Sequence, residues 1–490
     1  MPVKLSQTRL DISDPSLQEL FGDLQGNILK AHGRDHSRHI FLRFTAEADA
    51  CREWLASFAP QVTSAREQHR TARDFLDTGT EHPFAGFMLS CTGYRALAID
   101  ERKIPDDKAF RDGMKDHDAV YDTGPRGVHT RSTNPLNDDL DLWEAEFRQQ
   151  IDALIVLAYG GAESDLGTCT QSLDKQVETI RSGLQRIAEV VSVQSGFALR
   201  NQLGHVIEHF GFADGVSNPL FLKSDIEAAE ESGTKHYDPA APAGLVVVQD
   251  PGGRSDSESF GTYFVYRKLQ QNIKGFNDGL QALADALSAA GGGAVDRERA
   301  GALVLGRFKD GTPVSVQRGP GRPGFNDFGF DDDAEGLVCP LHAHIRKTNP
   351  RGDTQRLAGV PLRSERSKRI VRRGISYGDT ELEPHSEWTD AGLLFLSCQS
   401  DIEQQFLVIH GGWANNQDFL KPGTSLDPVI GRANKDTQPS GQRWPVGAAG
   451  GSRTVEFLFK DYVRCRGGEY FYAPSISFLA SLEACKTEAQ

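Results

Sequence analysis

No stretch of this chain approaches the run of about 20 apolar residues that a membrane-spanning helix requires, which excludes a helical anchor. No apolar run precedes Leu20 and no twin arginine stands near the N-terminus, so no export signal is expected. Cysteine is sparse. Its seven copies, Cys51, Cys91, Cys169, Cys339, Cys398, Cys465 and Cys485, are odd in number, and no two have the spacing of a metal pair. A disulfide framework is therefore not expected, and a reducing, cytoplasmic setting is. Positive charge is in deficit. The 54 lysines and arginines against 68 aspartates and glutamates leave a net charge of −14, which argues against nucleic acid and anionic membranes as partners. Sequence repeats are also missing, so any duplication in the fold would be structural alone.

What is present is the composition of a soluble globular protein, 38% hydrophobic and 25% charged, in a 490-residue chain long enough for one large core or two medium ones. His39 to Phe44 alternates as a strand, and Ala46 to Phe58 follows with helical spacing. Phe84 to Ser90 and Ile151 to Tyr159 read as strands, the second bounded by Gly160-Gly161. Thr170 to Val190 predicts a helix with Val177, Ile180, Leu184, Ile187 and Val191 along one face. This order predicts a split β-α-β unit of ferredoxin type. An acidic stretch rich in Pro, Gly and Ser, Ala240 to Ser259, then breaks the pattern. After it the order restarts. Gly261 to Arg267 reads as a strand, Lys268 to Ala290 as a helix, Gly392 to Cys398 as a strand, Ile402 to Gly411 as mostly helix and Val455 to Phe459 as a last strand. The expected architecture is α+β: two ferredoxin-like halves with antiparallel sheets, residues 1–240 and 241–490. The second half is interrupted by a long insert from Gly291 to Arg369.

Several motifs lead nowhere. His205-Val206-Ile207-Glu208-His209 has the His-x-x-Glu-His spacing of an inverted zinc-peptidase site, which needs a helix. Gly204 and Gly211 bracket it too closely, and a strand leading into the following loop is expected instead. Gly319-Pro320-Gly321-Arg322-Pro323-Gly324 has the dinucleotide glycine pattern but opens no helix that could receive a phosphate. Asp331-Asp332-Asp333 lacks the alternating ligand spacing of a calcium loop.

Three other segments carry chemistry. In Glu208-His209-Phe210-Gly211-Phe212-Ala213-Asp214-Gly215-Val216-Ser217-Asn218-Pro219, two glycines pin the chain around Asp214, with aromatics before it. Such a setting can tune an acid for proton transfer, although Asp-Gly is also a common turn pair. Cys339-Pro340-Leu341-His342-Ala343-His344-Ile345-Arg346-Lys347-Thr348-Asn349-Pro350-Arg351 offers imidazoles, then cations, then a turn. Arg372-Arg373-Gly374-Ile375-Ser376-Tyr377-Gly378 offers guanidiniums. An imidazole can bind iron, a carboxylate can move a peroxide proton, and an arginine can stabilise departing negative charge.

The combination resembles the dye-decolourising peroxidase family. Gly211 to Gly215 matches its Gly-x-x-Asp-Gly signature, and His344 opens its His-x-Arg-x-x-Asn-Pro-Arg segment. Matching pieces begin at Asp23-Leu24-Gln25-Gly26-Asn27-Ile28-Leu29-Lys30 and end at Arg466-Gly467-Gly468-Glu469-Tyr470-Phe471-Tyr472-Ala473-Pro474-Ser475, so the resemblance spans most of the chain. It implies one heme b per chain, held in the second half. The implied reaction is reduction of hydrogen peroxide with one-electron oxidation of phenols and bulky aromatic dyes. The implied iron ligand is His344, with His342 in reserve, two residues earlier and on the same side if the segment is extended. Asp427, in Asp427-Pro428-Val429-Ile430-Gly431, would accept the other ring proton of His344. Asp214 would be the distal acid and base, and Arg372, rather than Arg373, would stabilise negative charge. Leu393 and Phe395 would shape an apolar wall from one face of a strand. Tyr377 and Trp413 resemble surface radical relays for donors too large for the cavity. The basic run Arg363 to Arg373 reads either as a solvated loop or as a group near the heme carboxylates. From another class, a heme-binding or heme-delivery protein with incidental peroxidase activity fits the same residues.

Overall fold

The computed structural model describes residues 3–115, 119–122, 129–132, 135–161, 164–254, 258–434, 438–447 and 453–482; Cys485 lies outside them. Four strands come from the N-terminal part of the chain: β1 His36–Phe44, β2 Phe84–Leu89, β3 Ala153–Tyr159 and β4 Ala188–Phe197. They lie in the order β4-β1-β3-β2, all antiparallel. Four more follow: β5 Phe260–Gln271, β6 Ile375–Gly378, β7 Ala391–Gln399 and β8 Val463–Ala473. Their order is β6-β7-β5-β8, again antiparallel. Each set is the arrangement of a split β-α-β unit. Val371–Arg372 pairs with β7 in the same register as β6, Val371 against Cys398 and Ile375 against Leu394, so β6 is the continuation of one strand.

The two sheets meet at both edges. Ser376 of β6 pairs with Phe197 of β4, and Tyr472 of β8 pairs with Leu89 of β2. The result is a closed ring of eight strands, which leaves neither sheet an open edge at those joins. Side chains fill the space between the sheets. Phe41 of β1 lies 4.8 Å from Tyr266 of β5 and 6.4 Å from Phe471 of β8, ring centre to ring centre, so both halves share one core.

Helices connect the strands, and their ends are written locally. Between β1 and β2 run α1 Ala48–Phe58 and α2 Ala65–Thr78. Ser64 caps α2 by accepting from the Glu67 N–H at 3.1 Å, the start of a Ser-x-x-Glu capping pattern, and left-handed Gly79 ends it. Helix α3, Leu166–Gly183, joins β3 to β4, and α4, Ile273–Leu287, follows β5. Helix α5, Arg297–Leu305, and the short α6, His344–Thr348, belong to the long insert. Helix α7, Ile402–Ala414, has the wider π geometry and follows β7.

Several boundaries differ from the expectation. The helix expected from Thr170 to Val190 ends at Gly183, and Ile187 and Val191 belong to the turn and strand that follow. Strand β5 runs on to Gln271, and Asn272 caps α4 through the Gly275 N–H, so Lys268 is a strand residue paired with Glu144. The segment Val455 to Phe459 is not the last strand of the sheet. Thr454–Phe457 forms a small hairpin with Gln442–Pro445, and β8 closes the ring. Val206–Ile207 is extended and pairs with Leu199–Arg200, so the two histidines of His-x-x-Glu-His share no helix face. Among the described residues no helix is long and apolar enough to cross a membrane, and no group of three or more His, Cys, Asp or Glu side chains could hold a metal ion.

Candidate active site

Asp214 stands on a tight loop. Gly211 takes a left-handed φ of 89°, and a Cβ there would also lie 3.2 Å from Lys309 Nζ. The Ala213 N–H donates to the Lys309 carbonyl and the Asp214 N–H to the Val206 carbonyl, both at 3.0 Å. Phe210 stacks on Phe276 with ring centres 3.8 Å apart, which anchors the loop to α4. The Asp214 carboxylate accepts from the Gly215 N–H at 2.7 Å and pairs with the Arg372 guanidinium. Burial alone would raise this carboxyl. The Arg372 charge, the Gly215 N–H and the Arg372 hydrogen bond outweigh burial and hold it below the ordinary aspartate value.

Strand alternation decides between the two arginines. Arg372 turns to Asp214, whereas Arg373 turns away and donates to the Asn27 and Ile28 carbonyls, both at 2.8 Å. That contact gives the N-terminal Asp23–Lys30 segment its role, because it fastens the strand that carries Arg372. The Asn218 side chain brackets the same residue, accepting from its N–H at 3.1 Å and donating to its carbonyl at 3.3 Å.

His344 opens α6. Its Nδ1 lies 2.8 Å from Asp427 Oδ2, while Asp427 Oδ1 accepts from the Val429 and Ile430 N–H groups. Asp427 is fully buried. Desolvation raises its carboxyl, but the imidazole and the backbone donors win and keep it below the ordinary value. Arg346, two residues on, is buried between Asp333 and Asp353 and ties α6 in place. His342 is not on the His344 side. The chain bends into helix after Ala343, so the extended geometry that would align the two is absent. His342 packs edge-on against Trp444, with ring centres 4.4 Å apart, and burial pushes its imidazole down to about 3.

Asp214, Arg372, His344, Leu393 and Phe395 all line one cavity. Leu393 and Phe395 are two residues apart on β7 and face it together. Asp427 lies behind His344. Tyr377 and Trp413 are not at the surface. Tyr377 is 4% exposed because its side of β6 faces the packed core, where Lys268 Nζ lies 4.8 Å from its ring. Trp413 is 6% exposed because it stacks on Phe419 at the end of α7.

The cavity has more polar lining than the motifs foretold. Arg267, Arg307, Arg369 and Arg432 line it besides Arg372, as do Glu208 and His410. Arg267 is 2% exposed and pairs through one edge with Asp138, yet its Nε and Nη1 have no hydrogen-bond partner among the described residues, and neither does His410 Nε2. Among the described residues Arg307 bonds neutral groups: the Gly311 and Phe325 carbonyls, Ser217 and Asn326. Burial pushes the Glu208 carboxyl up to about 7. These residues are scattered over a strand, loops and helix α7 without a recognisable spacing. A buried arginine in an apolar strand is the one signal that points to Arg267.

No family model matches the chain. Curated relatives do. The multifunctional dye peroxidase DyP2 of Amycolatopsis sp. is 36% identical over 507 residues, covering 98% of this chain and 100% of that protein. The dye-decolorizing peroxidase msp1 of Mycetinis scorodonius is 31% identical over 489 residues, covering 94% and 87%. The crystal structure of the DyP-type peroxidase of Anabaena sp. superposes with a TM-score of 0.86 at 40% identity, over 98% of each chain. Fold, cavity and relatives together define a heme-type peroxidase. The chain belongs to the dye-decolorizing, or DyP-type, peroxidase family.

The opposed influences on Asp214 make a directional prediction. A reaction that needs the Asp214 carboxylate should keep its acid limb below pH ~4, the ordinary aspartate value. Replacing Arg372 by Leu removes the charge that opposes burial, so the limb should move to higher pH whatever happens to the maximal rate. The pH dependence of peroxide-driven oxidation of an aromatic donor reads this directly, and a limb that stays put would contradict the pairing.

Proposed function

We propose that this protein reduces hydrogen peroxide to water at a heme b, one per chain, and takes the two electrons singly from phenols or bulky aromatic dyes. The observation that carries the reading is that one cavity gathers the carboxylate-backed His344 and the Asp214–Arg372 pair. His344 is the iron ligand. Its Nδ1 is engaged by Asp427, which leaves Nε2 for the metal, and the carboxylate makes the imidazole a stronger donor. The lining suits a porphyrin. Phe210, Phe212, Leu393, Phe395, Phe406 and Ile409 supply apolar contact, and Arg307, Arg369, Arg372 and Arg432 supply cations for its carboxylates. The sequence has no Cys-x-x-Cys-His segment for covalent attachment, which favours heme b.

The bound heme supplies a redox-active iron. The protein supplies the proton path. Asp214, held ionised by Arg372, accepts the peroxide proton at its carboxylate and returns it to the departing oxygen. Arg372 stabilises the negative charge that builds as the O–O bond breaks. Asn218 and the Arg373 anchor fix the backbone from which that guanidinium reaches. Leu393 and Phe395 keep bulk solvent and large donors from the reacting oxygen atoms.

His344→Ala should therefore lose the Soret band of protein purified with a heme supply, while His342→Ala should keep it. A normal spectrum from the His344 variant would refute the ligand assignment.

Large donors must give their electrons across the protein. Tyr377 neighbours Gly392 in the register of β6 and β7, next to Leu393, and Trp413 shares α7 with the cavity-lining Phe406, Ile409 and His410. Both are buried stepping points in this reading. Replacing both by Phe should slow oxidation of a bulky anthraquinone dye but leave the peroxide step intact. A parental rate of dye bleaching in the double variant would rule both out.

A further inference from the structure

Glu208 is the residue of the His-x-x-Glu-His spacing that no peptidase chemistry absorbs. Its carboxylate gathers three donors. Oε2 accepts from the Phe210 N–H at 2.8 Å and from Gln271 Nε2 at 2.6 Å, and Oε1 accepts from the Phe212 N–H at 3.1 Å. Its main chain closes the same turn: the Glu208 N–H donates to the Phe212 carbonyl at 3.2 Å, and the Gly211 N–H donates to the Glu208 carbonyl at 2.8 Å. Asp214 stands two residues beyond Phe212. Gln271 is the last residue of β5, so one carboxylate ties the turn to the wall of the ring.

The donor set selects the chemistry. Three N–H donors converge, and the ionised carboxylate, which prevails above the value of about 7 to which burial raises it, accepts from all of them; an amide in its place would turn an NH₂ toward at least one. The near charges do not supply another reason for a carboxylate. Asp214 is a like charge that opposes Glu208, and Lys309 reaches the turn at Gly211 without pairing with it. We propose that Glu208 is a positioning residue for the peroxide reaction: its carboxylate fixes the turn that aims Asp214, and Asp214 does the proton transfer. The inference rests on the role assigned to Asp214 above.

Glu208→Gln tests it by two readouts. Without peroxide, amide hydrogen exchange at Phe210 or at Phe212, whichever N–H then faces the amide NH₂, should rise about tenfold, the effect of losing its one hydrogen bond to the carboxylate, with the sheet still protected. In the heme-loaded enzyme the peroxide step, followed by stopped flow, should slow roughly tenfold to a hundredfold. In an Asp214→Asn background the same change should slow it by less than about twofold further, because two residues acting through one group are not additive. Unchanged exchange, a parental rate, or equal slowing in both backgrounds would overturn the inference. If Asp214→Asn itself runs at the parental rate, the Asp214 assignment fails and this inference with it. If Asp214→Asn is slow and Glu208→Gln is not, only this inference fails. Should Glu208→Gln not fold, Gln271→Met removes one partner of the carboxylate and should slow the peroxide step about fivefold, but not in the Asp214→Asn background. A parental rate there would equally overturn it.

Discussion

Arg372 creates the conditions that Asp214 needs. A lone carboxyl in this cavity would be driven toward its neutral form by burial, and the Arg372 charge is the largest influence that opposes this. Paired with Arg372, the Asp214 carboxyl stays below its ordinary value although burial opposes it. The pair also spans the molecule's two parts, since Asp214 belongs to the loop after β4 and Arg372 to the strand that continues as β6. Closure of the eight-stranded ring at Ser376 and Phe197 brings that strand beside the end of β4. The distance between the two charges is thus set by sheet register and by the Asn218 and Arg373 clamps, more than by a mobile loop.

On the His344 side the logic is similar but the currents run the other way. Asp427 is more deeply buried than Asp214, and it faces an imidazole and two backbone N–H groups in place of a guanidinium. A neutral imidazole that donates to a carboxylate is fixed in tautomer and in ring orientation, as is common for metal-bound histidines. Arg346 contributes nothing to that chemistry. Its two aspartate partners make it the peg that holds the short helix carrying His344. So of the cations that follow His344 in its segment, the first is structural, and the second, Lys347, is buried against the Trp413 and Asn416 carbonyls.

Much of the site was legible because its residues sit in spacings that few other functions use. Asp214 stands between glycines, His344 before an arginine and an asparagine, and Asp427 before a proline, and the structure gathers the first two on one cavity with Asp427 against His344. The two β-α-β units were legible in outline from the order of apolar runs, although that order marks neither β6 nor β8 as a strand. The ring was not, because each closing join is a single residue pair with no sequence mark. Strand β8 hid behind Arg464, Arg466 and the Gly467-Gly468 pair, which break alternation. Gly467 and Gly468 are there for close approach: a Cβ on either would strike Phe147 or Met114. The burial of Tyr377 and Trp413 was equally hidden, since an aromatic at a strand or helix end reads alike whether a neighbouring layer covers it or not. Arg267 and Arg307 escaped notice for a related reason. Buried arginines look like surface ones until the fold shows what surrounds them.

The geometry at Asp214, Arg372 and His344 matters only if the three residues act on one bound heme and one peroxide. The absorption spectrum of the heme-loaded protein, recorded before and after one equivalent of hydrogen peroxide, tests this most directly. The Soret band should shift on mixing and return when an aromatic donor is added. A Soret band that does not respond to peroxide would contradict the arrangement as a peroxidase site.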